Sequence, residues 1–209
     1  MNSVGDSFTW PFQDSGWFGK TVLQGLIAII PIVGWIALAG WMMLVIDNFR
    51  AGRRELPPAG FHLARGAGIF FVFVIYAIVF AIPGIILTAL GGANNSGMAA
   101  LANVINLVLR LFLTFLTPAI ILFTYRGGFS GGFDLTGIWQ TVTVNASNTF
   151  VAAIVMLAAN IIGALGIILC FVGLLFTVPY AFAITAGAVA WYERVVAGPA
   201  PAPPSQAAG

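Results

Sequence analysis

The chain reads as all-α, a polytopic transmembrane helical bundle of about five spans. Three observations predict this. Only 7% of its 209 residues are Asp, Glu, Lys or Arg, whereas 60% are hydrophobic. The apolar residues stand in long runs, and nearly all charges gather in the short gaps between them. The runs do not alternate with polar residues as barrel strands do. A spanning helix needs about 20 apolar residues, because the hydrocarbon core is about 30 Å thick and a helix rises about 1.5 Å per residue. Unpaired backbone groups are costly in lipid, so helices are the expected solution.

Residues 1–19 are polar but aromatic, with Phe8, Trp10, Phe12, Trp17 and Phe18. Tryptophan favours the headgroup level, so an interfacial segment is expected. Asp6 and Asp14 stand there without any Lys or Arg, so the basic start of a signal peptide is missing. The transmembrane domain is expected over 20–196. Its first apolar block, 21–46, contains Pro31, which removes a backbone donor and clashes with the preceding turn. One tilted, kinked helix is the expectation. The alternative is a broken, re-entrant hairpin, which raises the count to six spans.

Residues 47–65 form the most charged gap and hold four arginines: Arg50, Arg53, Arg54 and Arg65. The positive-inside rule places this loop in the cytoplasm. The second span covers about 66–90, with Pro83 near its far end, and an uncharged turn follows at 91–97. The third covers about 99–125, with Pro118 inside and Arg126 closing it. A Gly-rich loop leads to Ile138-Trp139, expected at the interface. The last block, 150–192, is long enough for two spans with a turn at 170–173, and Glu193-Arg194 end it. The Pro- and Ala-rich residues 197–209 are expected to form a flexible tail. Five spans put the N-terminus outside and the C-terminus in the cytoplasm; a hairpin in the first block moves the N-terminus inside.

The composition narrows the function. A net charge of +2, with no basic run beyond Arg53-Arg54, implies no nucleic-acid surface. The single cysteine, Cys170, rules out an internal disulfide and any cysteine-built metal cage and is expected to be a small buried residue. His62 and Glu55 lack further ligands for a metal site. The Gly-rich 127–132 lacks the Lys-Ser/Thr of a phosphate loop. No nucleophile stands with a base. No catalytic, cofactor-binding or metal-binding residue is expected, and the chain is read as not an enzyme.

One set of residues is similar to a known pattern. Trp10-Pro11-Phe12-Gln13-Asp14, then Trp17, Lys20, Gly25, Ile30-Pro31-Ile32-Val33-Gly34, Gly40-Trp41, Gly52 and Leu56-Pro57 resemble the opening of an uncharacterised prokaryotic membrane-protein family, a domain of unknown function. The resemblance extends loosely to the element from Gly173 to Tyr180. The family usually has Gly-Tyr at the position of Gly40-Trp41, and of the acidic stretch expected around Leu-Pro only Glu55 is present. The resemblance implies a helical integral membrane protein and assigns no activity and no site residues.

Three groups are candidate functional residues. Asn103, Asn106, Arg110, Thr114 and Thr117 recur three, four, four and three residues apart, which lines them along one helix face. Arginine at the centre of a span costs about 2.5–3.5 kcal/mol on insertion scales, so this face is expected to be a polar seam meeting the bundle interior, water or a partner. Snorkelling to the interface and ordinary interhelical hydrogen bonding are the structural alternatives. Arg50, Arg53, Arg54 and Arg65 are candidate contacts for anionic headgroups. Ala183, Ala186, Gly187 and Ala190 form a small-residue face suited to close helix packing, within the bundle or in a dimer. The reading favoured is a non-catalytic scaffold or accessory subunit of a membrane complex, in contact with the lipid bilayer and with other membrane-protein subunits or itself. The alternative is a small transporter, channel or lipid-handling protein that uses the polar face around Arg110.

Overall fold

A computed structural model describes residues 3–91, 96–169 and 172–197. Every regular element among them is helical. The elements are α1 (Asp6–Thr9) continuing into a 3₁₀ turn (Trp10–Gln13), α2 (Trp17–Ala28), α3 (Val33–Arg50), α4 (Leu63–Gly91), α5 (Ser96–Gly131), α6 (Leu135–Val144), α7 (Ala146–Leu165) with a short 3₁₀ extension (Gly166–Leu169), and α8 (Leu174–Ala197). Four helices, α4, α5, the extended α7 and α8, are long and apolar enough to cross a membrane. That suggests a multi-pass membrane protein. Cys170, most of the 91–97 turn, part of the 170–173 turn and nearly all of the 197–209 tail lie outside the described residues.

The first apolar block is broken. It forms two helices, α2 and α3, joined by a tight turn, as in the broken-hairpin alternative, rather than one kinked helix. Pro31 ends the first arm. Ile32 then adopts φ 63°, ψ −61°, and the Val33 amide bonds back to the Pro31 carbonyl at 2.7 Å. These features define a γ-turn, which strains a β-branched residue. Gly34 permits the closure: a methyl group there would lie 2.3 Å from the Ile27 carbonyl oxygen.

α3 is the hub. Leu38, Trp41, Val45 and Ile46 on it are fully buried, packed among α2, α4 and α8. α3 crosses α4 at two glycines: a methyl group on Gly40 would lie 2.2 Å from the His62 carbonyl oxygen, and one on Gly66 only 1.9 Å from that of Ile36. α4 and α5 run antiparallel, with Phe80 stacked on Phe112 and Tyr76 donating to the Gly132 carbonyl at 2.8 Å. α7 and α8 form a second antiparallel pair, tied by the Thr149–Tyr192 hydroxyls at 2.8 Å and by Thr177 donating to the Gly163 carbonyl at 3.0 Å. Pro118 and Pro179 are buried within continuous helices, whereas α5 breaks at Gly128, whose φ 66°, ψ −154° suits glycine almost alone. The aromatic N-terminal segment packs on the bundle. Trp10 is 1% exposed and meets the Phe49 ring edge-on at 4.7 Å, and Tyr180 donates to the Phe8 carbonyl.

Candidate functional site: a clasp, a charged end and a polar helix face

Three features concentrate the polar chemistry of the chain. The first is a clasp between the N-terminal segment and the loop after α3. Asp14 is 7% exposed. Its carboxylate accepts from the Lys20 ammonium, the Gly16 amide and the Leu56 amide, each at 2.7 Å. Lys20 also donates to the Leu56 carbonyl at 2.7 Å. Beside it, the Trp41 indole donates to the Pro57 carbonyl at 3.1 Å, and the Gly60 amide donates to Gln24 at 3.0 Å. Burial alone raises the pKa of a carboxyl group. Here the hydrogen bonds from Lys20, Gly16 and Leu56 outweigh it and hold Asp14 below the usual carboxylate range. Asp14, Lys20, Trp41, Leu56 and Pro57 all belong to the pattern quoted from the sequence, so part of that pattern meets in one structural joint.

The second feature is a charged network where α3, α4, α5 and α8 converge. Glu193 accepts from Arg50 at 2.9 Å and from Arg126 at 3.0 and 3.1 Å. Asp47 accepts two hydrogen bonds from Arg65, at 2.7 and 2.8 Å, and a third from the Tyr125 hydroxyl. The Arg50 guanidinium lies 4.2 Å from the Tyr125 ring centroid and that of Arg65 5.6 Å, both within cation–π range. The Glu193 carboxylate raises the Arg50 pKa further, against burial. The arginines are about half exposed, so each pair contributes roughly 0–1 kcal/mol, and the network matters chiefly as a geometric tie among four helices. Beside it opens a cavity of about 220 Å³ lined by Met43, Arg65, Ile69, Thr124, Tyr125 and Phe129, among others. Its polar groups are already engaged: Arg65 and Tyr125 by Asp47, and Thr124 by the Ile120 carbonyl.

The four arginines named from the sequence therefore divide. Arg50 and Arg65 bind carboxylates of the chain itself, and Arg53 bonds Asn48 at 2.7 Å with Glu55 4.0 Å away. Arg54 is exposed on the loop. Ala183, Ala186, Gly187 and Ala190 are buried within the chain on α8.

The third feature is the polar stripe of α5, which the structure splits. Asn106 turns toward α4, where its amide lies 2.3 Å from where a methyl group on Gly84 would stand. Thr114 and Thr117 donate to carbonyls of their own helix, those of Arg110 and Leu113, at 2.8 Å. Asn103 and Arg110 are exposed. Arg110 stands among exposed Leu107, Val108 and Leu111, with no ion pair or hydrogen bond from its side chain to any of the described residues.

All six acids of the chain have partners. Asp14, Asp47 and Glu193 are engaged as above. Asp134 caps α6 by accepting from the Gly137 amide at 2.9 Å. Asp6 accepts from the Ser3 amide at 3.2 Å, and Glu55 faces Arg53. Sequence reasoning missed the clasp and the charged end. For the end, a signal existed: Asp47, Arg50, Arg126 and Glu193 all stand at the borders of apolar blocks, at comparable depth. For the clasp, the resemblance pattern marked Asp14, Lys20, Trp41, Leu56 and Pro57 but not their pairing, since Asp14 and Leu56 are separated by 42 residues.

Among known proteins, a family described as a protein of unknown function (DUF4013) matches residues 23–172, about seven-tenths of the chain. No curated protein and no solved structure matches.

Proposed function

As a member of the DUF4013 family, the chain inherits no assigned activity, and we propose that it is a non-catalytic assembly element of the membrane, a scaffold or accessory subunit that docks through the α4–α5 hairpin. The observation that carries this reading is Arg110, exposed on an apolar helix with no partner among the described residues. Left in lipid it costs about 2.5–3.5 kcal/mol or more; a partner helix that meets it offsets that cost. The hairpin has surface to offer: only 22% of the most apolar stretch of α4 and 39% of that of α5 are buried within the chain. The acids point the same way. Asp14, Asp47 and Glu193 tie α3, α4, α5, α8 and the N-terminal segment together, which supports a structural role for them.

Gentle extraction from the native membrane, followed by mass measurement of the intact particle, tests the proposal. A fixed stoichiometric partner set that Arg110→Leu disrupts supports it. A particle unchanged by that substitution refutes docking through this face. A transport reading has one observation in its favour, the broken hairpin of α2 and α3 with its strained Ile32. That reading requires a hydrated path beside the stripe. Cysteines at Asn106 and Thr114 that resist water-soluble thiol reagents in every condition would dismiss it.

A further inference from the structure

We infer that the α5 face around Arg110 receives a spanning helix of a different protein, one that carries a carboxylate at the depth of Arg110. The inference rests on the docking function proposed above and adds the identity of the contact. The argument is charge complementarity. An exposed arginine in an apolar surface is satisfied best by a carboxylate, whose two oxygens match the guanidinium fork. A second copy of the chain cannot supply one. Asp14, Asp47 and Glu193 each accept hydrogen bonds from two or more groups, and Asp134 caps its own helix. Asp6 and Glu55 stand in the N-terminal segment and the arginine-rich loop, outside the spanning helices. A symmetric dimer on this face would set arginine against arginine.

Lipid headgroups are the competing counter-charge, and the position of Arg110 disfavours them. It lies 14 residues after the start of α5 and 16 before Arg126, near the middle of a stretch long enough to cross a core about 30 Å thick, so about 15 Å from either edge of a core centred on that stretch. The side chain covers only part of that distance. Leu107, about one turn before it, and Leu111, the next residue, are 57% and 51% exposed. They supply apolar surface that a helix–helix contact needs beside an ion pair.

The test uses the full chain in its native membrane, with a photo-cross-linking side chain at Leu107 or Leu111 and the cross-linked residue located by mass spectrometry. The expected product joins this chain to a spanning segment of another protein, within about one turn of an Asp or Glu. Arg110→Gln should lower its yield about tenfold or more, and Arg110→Glu combined with the reciprocal acid-to-arginine change in the partner should restore it. Cross-links to a partner segment without a carboxylate, or yields unmoved by Arg110→Gln, overturn the inference while leaving docking intact. Cross-links only between copies of this chain also overturn it. Cross-links only to lipid overturn both the inference and the proposed function.

Discussion

The Asp14 carboxylate accepts the backbone amide of Leu56 at 2.7 Å across 42 residues, and Lys20 closes the loop by bonding both partners. This joint fastens the N-terminal segment and α2 to the loop that leads into α4. It fixes where α3 sits, and through α3 the whole bundle.

Asp14→Asn should therefore cost about 2–3 kcal/mol of stability, because a buried carboxylate with charge-assisted bonds is replaced by a group that can accept fewer of them. The pH dependence follows from the lowered pKa of Asp14. Its contribution is complete above the ordinary value of an unfolded aspartate, about 3.9, and is lost as pH falls below that value and through the lower folded one. Thermal unfolding in detergent between pH 7 and pH 2.5 checks this. The wild type should lose this increment in the acid limb, and Asp14→Asn should narrow the gap between neutral and acid melting temperatures.

Gly40→Ala and Gly66→Ala should each be severe, about 3 kcal/mol or more, since the added methyl group would meet a neighbouring carbonyl at 2.2 and 1.9 Å and backbone cannot yield as a side chain can. Gly68→Ala is the control. Its methyl group would sit 3.7 Å from the Phe129 amide, an ordinary contact, and the change should stay within about 0.5 kcal/mol. Folded yield after detergent extraction ranks the three.

Ile32→Gly should stabilise the protein by about 1 kcal/mol. The side chain is 63% exposed and buries little, whereas its positive φ is strained for isoleucine and open to glycine. A melting temperature that falls instead would mean that the exposed Ile32 side chain contributes more, through the surrounding lipid or detergent, than the turn loses to strain.

Glu193→Gln should weaken the contacts of α8 with both α3 and α5, at a cost of about 1–2 kcal/mol. A double-mutant cycle with Arg50→Ala separates the shared part. Coupling between the two changes should exceed that between Glu193→Gln and Arg53→Ala, since the Arg53 side chain meets Asn48 and Glu55 rather than Glu193.

The helical class was legible because long apolar runs admit few alternatives in lipid. The break in the first block was half legible. Pro31 announces a disturbance, but the residue that turns the chain is Ile32, and no propensity marks isoleucine for positive φ. The spacing of Asn103, Asn106, Arg110, Thr114 and Thr117 placed them on one face. It could not say that Asn106 meets α4 while Arg110 looks outward, because a helical repeat does not reveal where a neighbour ends. The loop arginines read as headgroup contacts by their number. Their number did not reveal that Arg50 and Arg65 bind Glu193 and Asp47, partners that lie 143 and 18 residues away along the chain.

The claim that the α5 face is covered by protein is tested most directly by a nitroxide label at Leu111, introduced after Cys170→Ala, with oxygen accessibility compared between native membranes and the purified chain reconstituted alone. Low accessibility in the native membrane, rising on reconstitution or with Arg110→Leu, is the predicted result. High accessibility in every case would mean that lipid covers this face, and would contradict the account.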